Sequence, residues 1–276
     1  MEGMFEKLKE TAAFVKARTS LQPTVGIILG SGLGKLVDQI TDQVTIDYQD
    51  LPHFPGATVV GHAGRLVFGR IGATQVVAMQ GRFHYYEGHD MRTVALPIVF
   101  MKLFGVTTLI VSNSAGGVNP SFTPGDLMLI TDHINLFGDN PLIGLNDERL
   151  GPRFPDMTEA YSPRLIGLAD KVARELGTPL CRGVYAGSSG PCYETAAEVR
   201  YMEGIGADAV GMSTVPEVIA ARYLGLEVLG ISCITNMATG IAKVKHAHEE
   251  VVKTANAASA RFCQLVAATV RILEEV

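Results

Sequence analysis

The segment 81–89 carries the side chains best suited to bind an anionic substrate. It reads Gly-Arg-Phe-His-Tyr-Tyr-Glu-Gly-His and follows a predicted strand at Gln75–Gln80. Because alternate side chains of extended backbone share a face, Arg82, His84 and Tyr86 are expected to point the same way. A guanidinium offers a bidentate fork to phosphate, an imidazole adds a donor, and a phenol can bind a sugar hydroxyl. An exposed basic strand end is the alternative interpretation.

Further donors lie near predicted strand ends or in glycine-rich turns: Ser31, His62, Ser114 and Ser213. Donors at the carboxyl ends of several parallel strands form the usual ligand site of an α/β sheet. Together with the basic segment, they predict an anion site at one edge of such a sheet.

The glycine loop 30–35, Gly-Ser-Gly-Leu-Gly-Lys, follows the short apolar strand Val25–Leu29. A dinucleotide fingerprint requires glycine where Lys35 stands, and a Walker A loop requires Ser or Thr where Leu36 stands, so the spacing excludes both. Small residues between a strand and a predicted helix N-terminus present backbone N–H groups to an anion. A tight turn without a ligand is the alternative.

Hydrophobic periodicity predicts strands that alternate with helices. The strands are predicted at Val25–Leu29, Arg65–Arg70, Gln75–Gln80, Thr107–Ser112, Leu127–Thr131, Gly183–Ala186, Ala209–Met212 and Val228–Ile234. The helices are predicted at Phe5–Thr19, Thr93–Phe104, Pro163–Leu176, Glu194–Ile205, Val215–Leu224 and His246–Glu275. This alternation predicts an α/β fold with a mixed, largely parallel central sheet flanked by helices.

Two segments interrupt the alternation. Pro97 lies inside a predicted helix and is expected to kink or shorten it. The stretch Asp132–Met157 is rich in Asn, Asp, Gly and Pro, and loops of this length are usually functional or lie at an interface. No repeat or linker divides the sequence, so residues 1–276 are expected to form a single domain.

Composition narrows the classes of function. Of 276 residues, 47% are apolar, 18% are charged and 30 are glycine, which suits a large core with many tight turns. A net charge of −5 without a basic block argues against binding to nucleic acid duplexes. The absence of Trp argues against base stacking along single strands.

The cysteines and the apolar runs indicate in which cellular compartment the protein is expected. Cys181, Cys192, Cys233 and Cys263 form no CxxC pair, which predicts neither a zinc knuckle nor a redox motif. The N-terminal segment lacks the apolar core of a signal peptide, and no apolar run is long enough to span a membrane. We expect a reduced, soluble, cytoplasmic protein without a membrane partner.

Seven ordered motifs resemble those of one enzyme family. They are 29–34 (Leu-Gly-Ser-Gly-Leu-Gly), 61–65 (Gly-His-Ala-Gly-Arg), 81–88, 132–135 (Asp-His-Ile-Asn), 190–195 (Gly-Pro-Cys-Tyr-Glu-Thr), 211–217 (Gly-Met-Ser-Thr-Val-Pro-Glu) and 234–237 (Ile-Thr-Asn-Met). In these motifs, and along nearly all its length, the sequence resembles the purine nucleoside phosphorylases of the homotrimeric, 6-oxopurine-specific type.

The resemblance implies a binding role for particular residues. Phosphate is expected at Ser31, His62, Arg82, His84, Ser114 and Ser213. The nucleoside is expected at Tyr86, Ala115, Gly116, Phe154, Tyr193, Glu194, Met212, Thr235, Asn236 and His248. The expected catalytic residues are His84, Glu194 and Asn236.

On the ribose side, the resemblance places the sugar against Tyr86 and Met212, with its 5′-hydroxyl at His248. Phe154 resembles the aromatic residue that one subunit of this family lends to its neighbour's site, which implies a homotrimer. Each of the last two residues also has an ordinary interpretation. His248 would suit the surface of a long helix, and Phe154 would suit a loop anchor.

On the base side, the purine is expected to stack near Tyr193 and to be recognised by Glu194 and Asn236. Glu194 would accept from the purine N1–H, and Asn236 would serve N7 and O6. The sequence departs from the family pattern at two positions. Ser114 stands where alanine is more common, and Tyr193 where phenylalanine is more common, and each is expected to alter affinity rather than the reaction.

The implied reaction is the reversible phosphorolysis of purine (deoxy)ribonucleosides, such as inosine and guanosine, to a free base and α-(deoxy)ribose 1-phosphate in purine salvage. Phosphate would serve as nucleophile and as counter-charge to an oxocarbenium-like ribose. No metal or organic cofactor is expected.

Two other functions would suit a similar set of residues. A nucleoside-binding protein without catalysis would be expected to have lost part of the set Arg82, His84, Glu194, Asn236 and His248. Methylthioadenosine phosphorylases typically carry Asp where Asn236 stands and an apolar residue where His248 stands. The resemblance therefore favours an enzyme for 6-oxopurines over a methylthioadenosine phosphorylase.

Overall fold

The computed structural model describes residues 3–56, 63–241 and 248–273, without the side chain of His248. Within these ranges the helices are α1 (Met4–Lys16), α2 (Met91–Phe104), α3 (Pro163–Glu175), α4 (Ala196–Gly204), α5 (Val215–Tyr223) and α6 (His248–Ile272). The strands are β1 (Val25–Leu29), β2 (Thr41–Asp47), β3 (Arg65–Ile71), β4 (Thr74–Gln80), β5 (Thr108–Gly117), β6 (Leu127–Asn135), β7 (Leu180–Gly187), β8 (Ala209–Gly211) and β9 (Glu227–Met237).

All nine strands of the described ranges belong to one mixed sheet, which confirms the predicted α/β class. Their order is β2-β3-β4-β1-β5-β8-β7-β6-β9, and β9 pairs with β5 as well. The half of the sheet from β5 to β9 therefore closes on itself. Because β1 is parallel to β4 and β5, and β5 is parallel to β9, the carboxyl ends of these four strands meet at one edge.

The inner strands and the covering helices follow from their apolar patterns. All five residues of β1 are buried, as expected for a strand with helices on both faces. In α3 the buried side chains of Leu165, Ala169 and Val172 recur on one side of the helix. Ser162 caps this helix by accepting from the Leu165 N–H at 3.4 Å, and Pro163 occupies its first turn.

Strand β5 is longer than predicted, and this changes the shape of the site. The sequence predicts that the strand ends at Ser112 and that residues 113–117 form a glycine-rich turn. The structure instead continues β5 to Gly117, in register with β9, so that Ser114 lies opposite Cys233. A ladder partner compensates for the low strand preference of glycine, and the predicted turn is therefore wrong.

The segment after the glycine loop also differs from the prediction. Gly34–Gln39 is a six-residue 3₁₀ helix and not an α-helix, so a regular helix N-terminus does not follow the loop. The prediction also missed β2, because five of its seven residues are exposed and polar and give no clear apolar alternation.

Two helix boundaries matter for the site. The predicted helix at Glu194 begins instead at Ala196, because Thr195 caps it and accepts from the Glu198 N–H at 3.3 Å. Glu194 is thereby left outside the helix. Helix α2 begins at Met91 and runs through Pro97, so the proline does not shorten it.

Candidate active site

A partly open cleft lies at the edge where the parallel strands end. Its walls come from the ends of β1, β4, β8 and β9, from the last residues of β5, and from the loop before α4. The predicted site residues that line it are Ser31, Arg82, His84, Tyr86, Ser114, Ala115, Gly116, Tyr193, Glu194, Met212, Ser213, Thr235 and Asn236. Residues distant in sequence thus meet as expected in one cleft.

Arg82 is the strongest cationic group of the cleft and is almost completely buried, at 2% exposure. Its Nε donates to Oε1 of Glu217 at 2.8 Å. Its Nη1 donates to the Ser112 carbonyl at 2.6 Å and contacts Ser213 Oγ at 3.4 Å. The guanidinium is therefore held in place before any anion binds.

His84 lies beside Arg82 and is paired with Glu87. The imidazole Nδ1 and Glu87 Oε1 are 2.9 Å apart, and the same carboxylate accepts from the His84 backbone N–H at 2.7 Å. Burial lowers the pKa of His84 below its ordinary value; the hydrogen bond to Glu87 opposes this shift, and the charge of Arg82 adds to it.

Tyr86 extends the same face of the cleft, although its backbone is not extended. It lies in a short 3₁₀ helix, Tyr85–Glu87, and its ring stacks on that of His84 with centroids 4.7 Å apart. Burial and the nearby Glu87 carboxylate raise the pKa of Tyr86 to about 12. The phenol therefore remains protonated at neutral pH and can serve as a neutral hydroxyl donor.

The glycine loop passes close to β5. A Cβ at Gly30 would lie 2.7 Å from the Cα of Asn113, so only glycine fits this crossing. Ser114 Oγ donates to the Ser31 carbonyl at 2.9 Å and ties the loop to β5. In this arrangement the proton of the Ser114 hydroxyl is directed to the loop, and Ser114 also lines the cleft.

Glu194 and Asn236 line the same cleft, and each makes hydrogen bonds that orient its side chain. Ser188 Oγ donates to Glu194 Oε1 at 2.9 Å and orients the carboxylate. Thr235 Oγ1 donates to Asn236 Oδ1 at 3.0 Å, and Asn236 Nδ2 donates to the Met237 carbonyl at 3.3 Å. The amide is thus presented with a defined donor end and a defined acceptor end. Half-exposed Tyr193 borders this region.

Three predicted residues are not placed in the cleft. Phe154 lies in a separate groove, which the exposed Ile143 also lines, and is 87% exposed. His62 and the side chain of His248 lie outside the described residues. The roles predicted for these three residues remain predictions.

The prediction missed the residues that hold the binding groups in position. They are Glu87 behind His84, Ser188 behind Glu194, Glu217 behind Arg82, and Asn113, which donates to Thr214 Oγ1 at 2.8 Å. Glu87 and Glu217 lie within motifs 81–88 and 211–217, so their positions in those motifs were a usable signal. Ser188 and Asn113 carry no such signal in the sequence.

Within the described ranges, no three His, Cys, Asp or Glu side chains come together as metal ligands. In the same ranges, no helix combines the length and apolar character needed to cross a bilayer.

Comparison with known proteins identifies the family. Residues 24–271 match the family model described as the phosphorylase superfamily. The chain is 55% identical over 264 residues to purine nucleoside phosphorylase 1 of Geobacillus stearothermophilus, covering 96% of both chains. It is 52% identical over 267 residues to purine nucleoside phosphorylase 1 of Bacillus subtilis (strain 168), covering 97% of this chain and 98% of that protein.

Solved structures agree with these sequence matches. Schistosoma mansoni purine nucleoside phosphorylase in complex with adenosine superposes with a TM-score of 0.93 at 44% identity, covering 97% of both chains. Its complex with inosine gives the same TM-score and identity, and the match covers 97% of this chain and 96% of that one. The chain therefore belongs to the phosphorylase superfamily and, within it, to the purine nucleoside phosphorylases.

Proposed function

We propose that this protein catalyses the reversible phosphorolysis of purine nucleosides such as inosine and guanosine, and of their deoxy forms, in purine salvage. One observation carries the proposal: a single cleft holds the buried Arg82 and His84 together with the oriented Glu194 and Asn236. The first pair suits phosphate and the second suits a purine base. The relatives named as purine nucleoside phosphorylases at 55% and 52% identity support the same reaction.

The reaction is a pentosyl transfer in which the residues of the cleft act on both reactants. A phosphate oxygen forms a bond to the ribose C1′, the bond from C1′ to the purine N9 breaks, and its electron pair moves into the base. Asn236 stabilises the charge at N7 by donating a hydrogen bond, while Glu194 accepts from N1–H. Arg82, His84, Ser31 and Ser213 hold the phosphate, which also balances the positive charge that develops on the ribose.

Release of base from a panel of nucleosides tests the proposed reaction. Inosine, guanosine, their deoxy forms, xanthosine and adenosine would each be incubated with the protein, with and without phosphate or arsenate. We expect base release only with the anion present. Nucleoside binding without anion-dependent release would instead support a binding protein that lacks catalysis.

Three further properties belong to the proposal. Residues 1–276 form a single catalytic domain, which the family match over residues 24–271 supports. The reaction needs no metal or organic cofactor, because phosphate and the named side chains account for each step. Localisation in the cytoplasm is supported by the four unpaired cysteines, two of them buried.

We also propose that the active species is a homotrimer in which Phe154 completes the neighbouring site. The support is physical: an apolar ring that is 87% exposed shares an apolar groove with exposed Ile143. A head-to-tail contact of this kind closes into a ring when three copies meet.

Mixed oligomers test the placement of Phe154. We expect Phe154→Ala to lower kcat/KM for inosine about 10-fold or more, because an aromatic wall of the site is removed. Phe154→Ala and Glu194→Ala chains would then be co-expressed in equal amounts. About a quarter of the sites should pair an intact cleft with an intact neighbouring Phe154 and regain normal activity if subunits assort at random. Activity no higher than the average of the two parents would contradict the proposal.

The burial and pairing of His84 lead to a prediction that anion binding is accompanied by proton uptake. A bound dianion beside the imidazole favours its charged form and raises the pKa of His84 from its lowered value. Sulfate, which does not titrate near neutral pH, is therefore expected to bind with uptake of up to about one proton near pH 6 to 7. Calorimetry in two buffers with different ionisation enthalpies measures this uptake. It should disappear in His84→Gln, and equal uptake in that variant would assign the proton elsewhere.

A further inference from the structure

Glu217 is a buried acid that lies next to the proposed phosphate site without lining the cleft. It is in the first turn of α5 and is only 2% exposed. Burial of a carboxylate is costly unless the charge is paired. Its Oε1 accepts from Arg82 Nε at 2.8 Å, and both side chains are almost fully buried.

The contacts of Arg82 are arranged so that Glu217 sets the direction of the guanidinium. The Ser112 carbonyl holds Nη1, Ser213 Oγ lies near the same nitrogen, and Glu217 holds Nε. Contacts at two different nitrogens fix both the plane of the group and its rotation. A bidentate contact with phosphate depends on that direction, because the donors of a guanidinium form a rigid fork.

A strained turn places Ser213 and Glu217 together on Arg82. Thr214 is fully buried and has φ 73° and ψ −52°, a conformation that is rare for a β-branched residue. The Val215 N–H donates to the Ser213 carbonyl at 2.8 Å, which closes a three-residue turn. The strain is maintained by packing and by the hydrogen bond from Asn113 to Thr214.

This turn leads directly into α5. Ser213 precedes the helix and Glu217 lies four residues further on, and both contact Arg82. Strained backbone of this kind is typical of functional sites. A buried ion pair is weak support for a purely stabilising role, because apolar residues of similar volume often serve stability equally well.

We propose that Glu217 is a positioning residue of the phosphate site and acts through Arg82. The proposal rests on the proposed function for the identity of the anion. Glu217 lies behind the guanidinium and does not touch the substrate. Its carboxylate keeps the donors of Arg82 aimed into the cleft, so that the site is formed before phosphate arrives.

Steady-state kinetics of three substitutions test the role. Glu217→Ala should raise KM for phosphate about 10- to 100-fold and leave KM for inosine within about 3-fold, because misdirection of one binding group affects its own ligand. Glu217→Gln should recover most of the loss, because its amide oxygen can accept from Nε. Glu217→Asp keeps the charge but is one methylene shorter, so it should be worse than Glu217→Gln. The opposite order of Asp and Gln would overturn the proposal.

A matched control is available at the far end of β9. Glu227 pairs with Arg164, with 2.6 Å between Oε2 and Nη2, and is partly exposed. Glu227→Ala and Glu227→Gln therefore remove a comparable carboxylate outside the cleft. Both variants should leave the two KM values within about 2-fold of those of the unmodified protein. Equal increases of both KM values in Glu217→Ala, with a loss of thermal stability, would indicate a structural role and overturn the proposal.

A double-mutant cycle tests whether Glu217 acts through Arg82. In an Arg82→Ala background, Glu217→Ala should cause no further increase in KM for phosphate, because the group it directs is gone. Additive effects would contradict the proposal. If Glu217→Ala does not fold, the comparison of Glu217→Gln with Glu217→Asp still decides the question.

Direct binding separates this proposal from the proposed reaction. Titration calorimetry with inorganic phosphate, without nucleoside, should show weaker binding in Glu217→Ala and recovery in Glu217→Gln. That result in a protein that cleaves no nucleoside would support the positioning role and contradict the proposed function. Unchanged phosphate affinity in Glu217→Ala would overturn the positioning role, whatever the enzyme's turnover.

Discussion

Glu194→Ala and Asn236→Ala are each expected to lower kcat/KM for inosine by about 10³- to 10⁴-fold, because a site built to hydrogen-bond a base loses its discrimination and its leaving-group stabilisation together. Glu194 accepts from Ser188 and lies outside α4, so its removal does not disturb the helix cap formed by Thr195 and Glu198. The loss should therefore concern the reaction and not the fold.

Kinetics and thermal unfolding together measure this effect. Glu203→Ala provides a control. Glu203 is an exposed acid near the end of α4, so this variant has the same Glu-to-Ala substitution outside the cleft. It should be close to unmodified protein in both kcat/KM and Tm. A value of kcat/KM within a few-fold of normal in either active-site variant, with unchanged Tm, would remove Glu194 or Asn236 from the proposed base site.

The parts of the fold that could be predicted were those set by local pattern. The apolar run Val25–Leu29 could form little else than a buried strand, and the structure has β1 at the same residues. The end of β5 could not be predicted, because Gly116 and Gly117 favour a turn locally. Their strand conformation depends on pairing with β9, which is more than a hundred residues away.

The candidate site shows the same division between local and distant information. Arg82 and His84 could be identified from their spacing in a single segment. Glu217 could be noticed as part of motif 211–217, but its pairing with Arg82 could not be predicted, because the fold alone brings the two residues together. The strained backbone at Thr214 was equally hidden, since nothing in the residue type Thr favours a positive φ.

The predicted role of Phe154 cannot be tested on the fold of a single chain. The family resemblance singled it out, yet the described chain places it in a groove apart from the cleft. Its predicted role requires a second copy of the protein. Neither the sequence pattern nor the fold of a single chain contains that contact.

The oriented amide of Asn236 has a consequence for the choice of base. Thr235 donates to its Oδ1 and Nδ2 donates to the Met237 carbonyl, so Nδ2 is the donor end of the amide, which in the proposed function serves N7 or O6 of a 6-oxopurine. Adenosine presents an amino group at that position and a lone pair at N1, which would face the Glu194 carboxylate. Opposed or unpaired buried polar groups cost about 1–3 kcal/mol each, and more when charged.

We therefore expect inosine and guanosine to be good substrates and adenosine to be poorer by orders of magnitude. Asn236→Asp should shift the ratio of kcat/KM for inosine to that for adenosine about 10²- to 10³-fold toward adenosine, since a protonated carboxyl can donate to N7 while its other oxygen accepts from the amino group. The ratio, measured for both proteins at saturating phosphate, decides the question independently of absolute activity. Turnover is the proper measure, because binding alone does not report stabilisation of the departing base. An inosine-to-adenosine ratio near one in the unmodified protein would contradict the assignment of Glu194 and Asn236 to base selection.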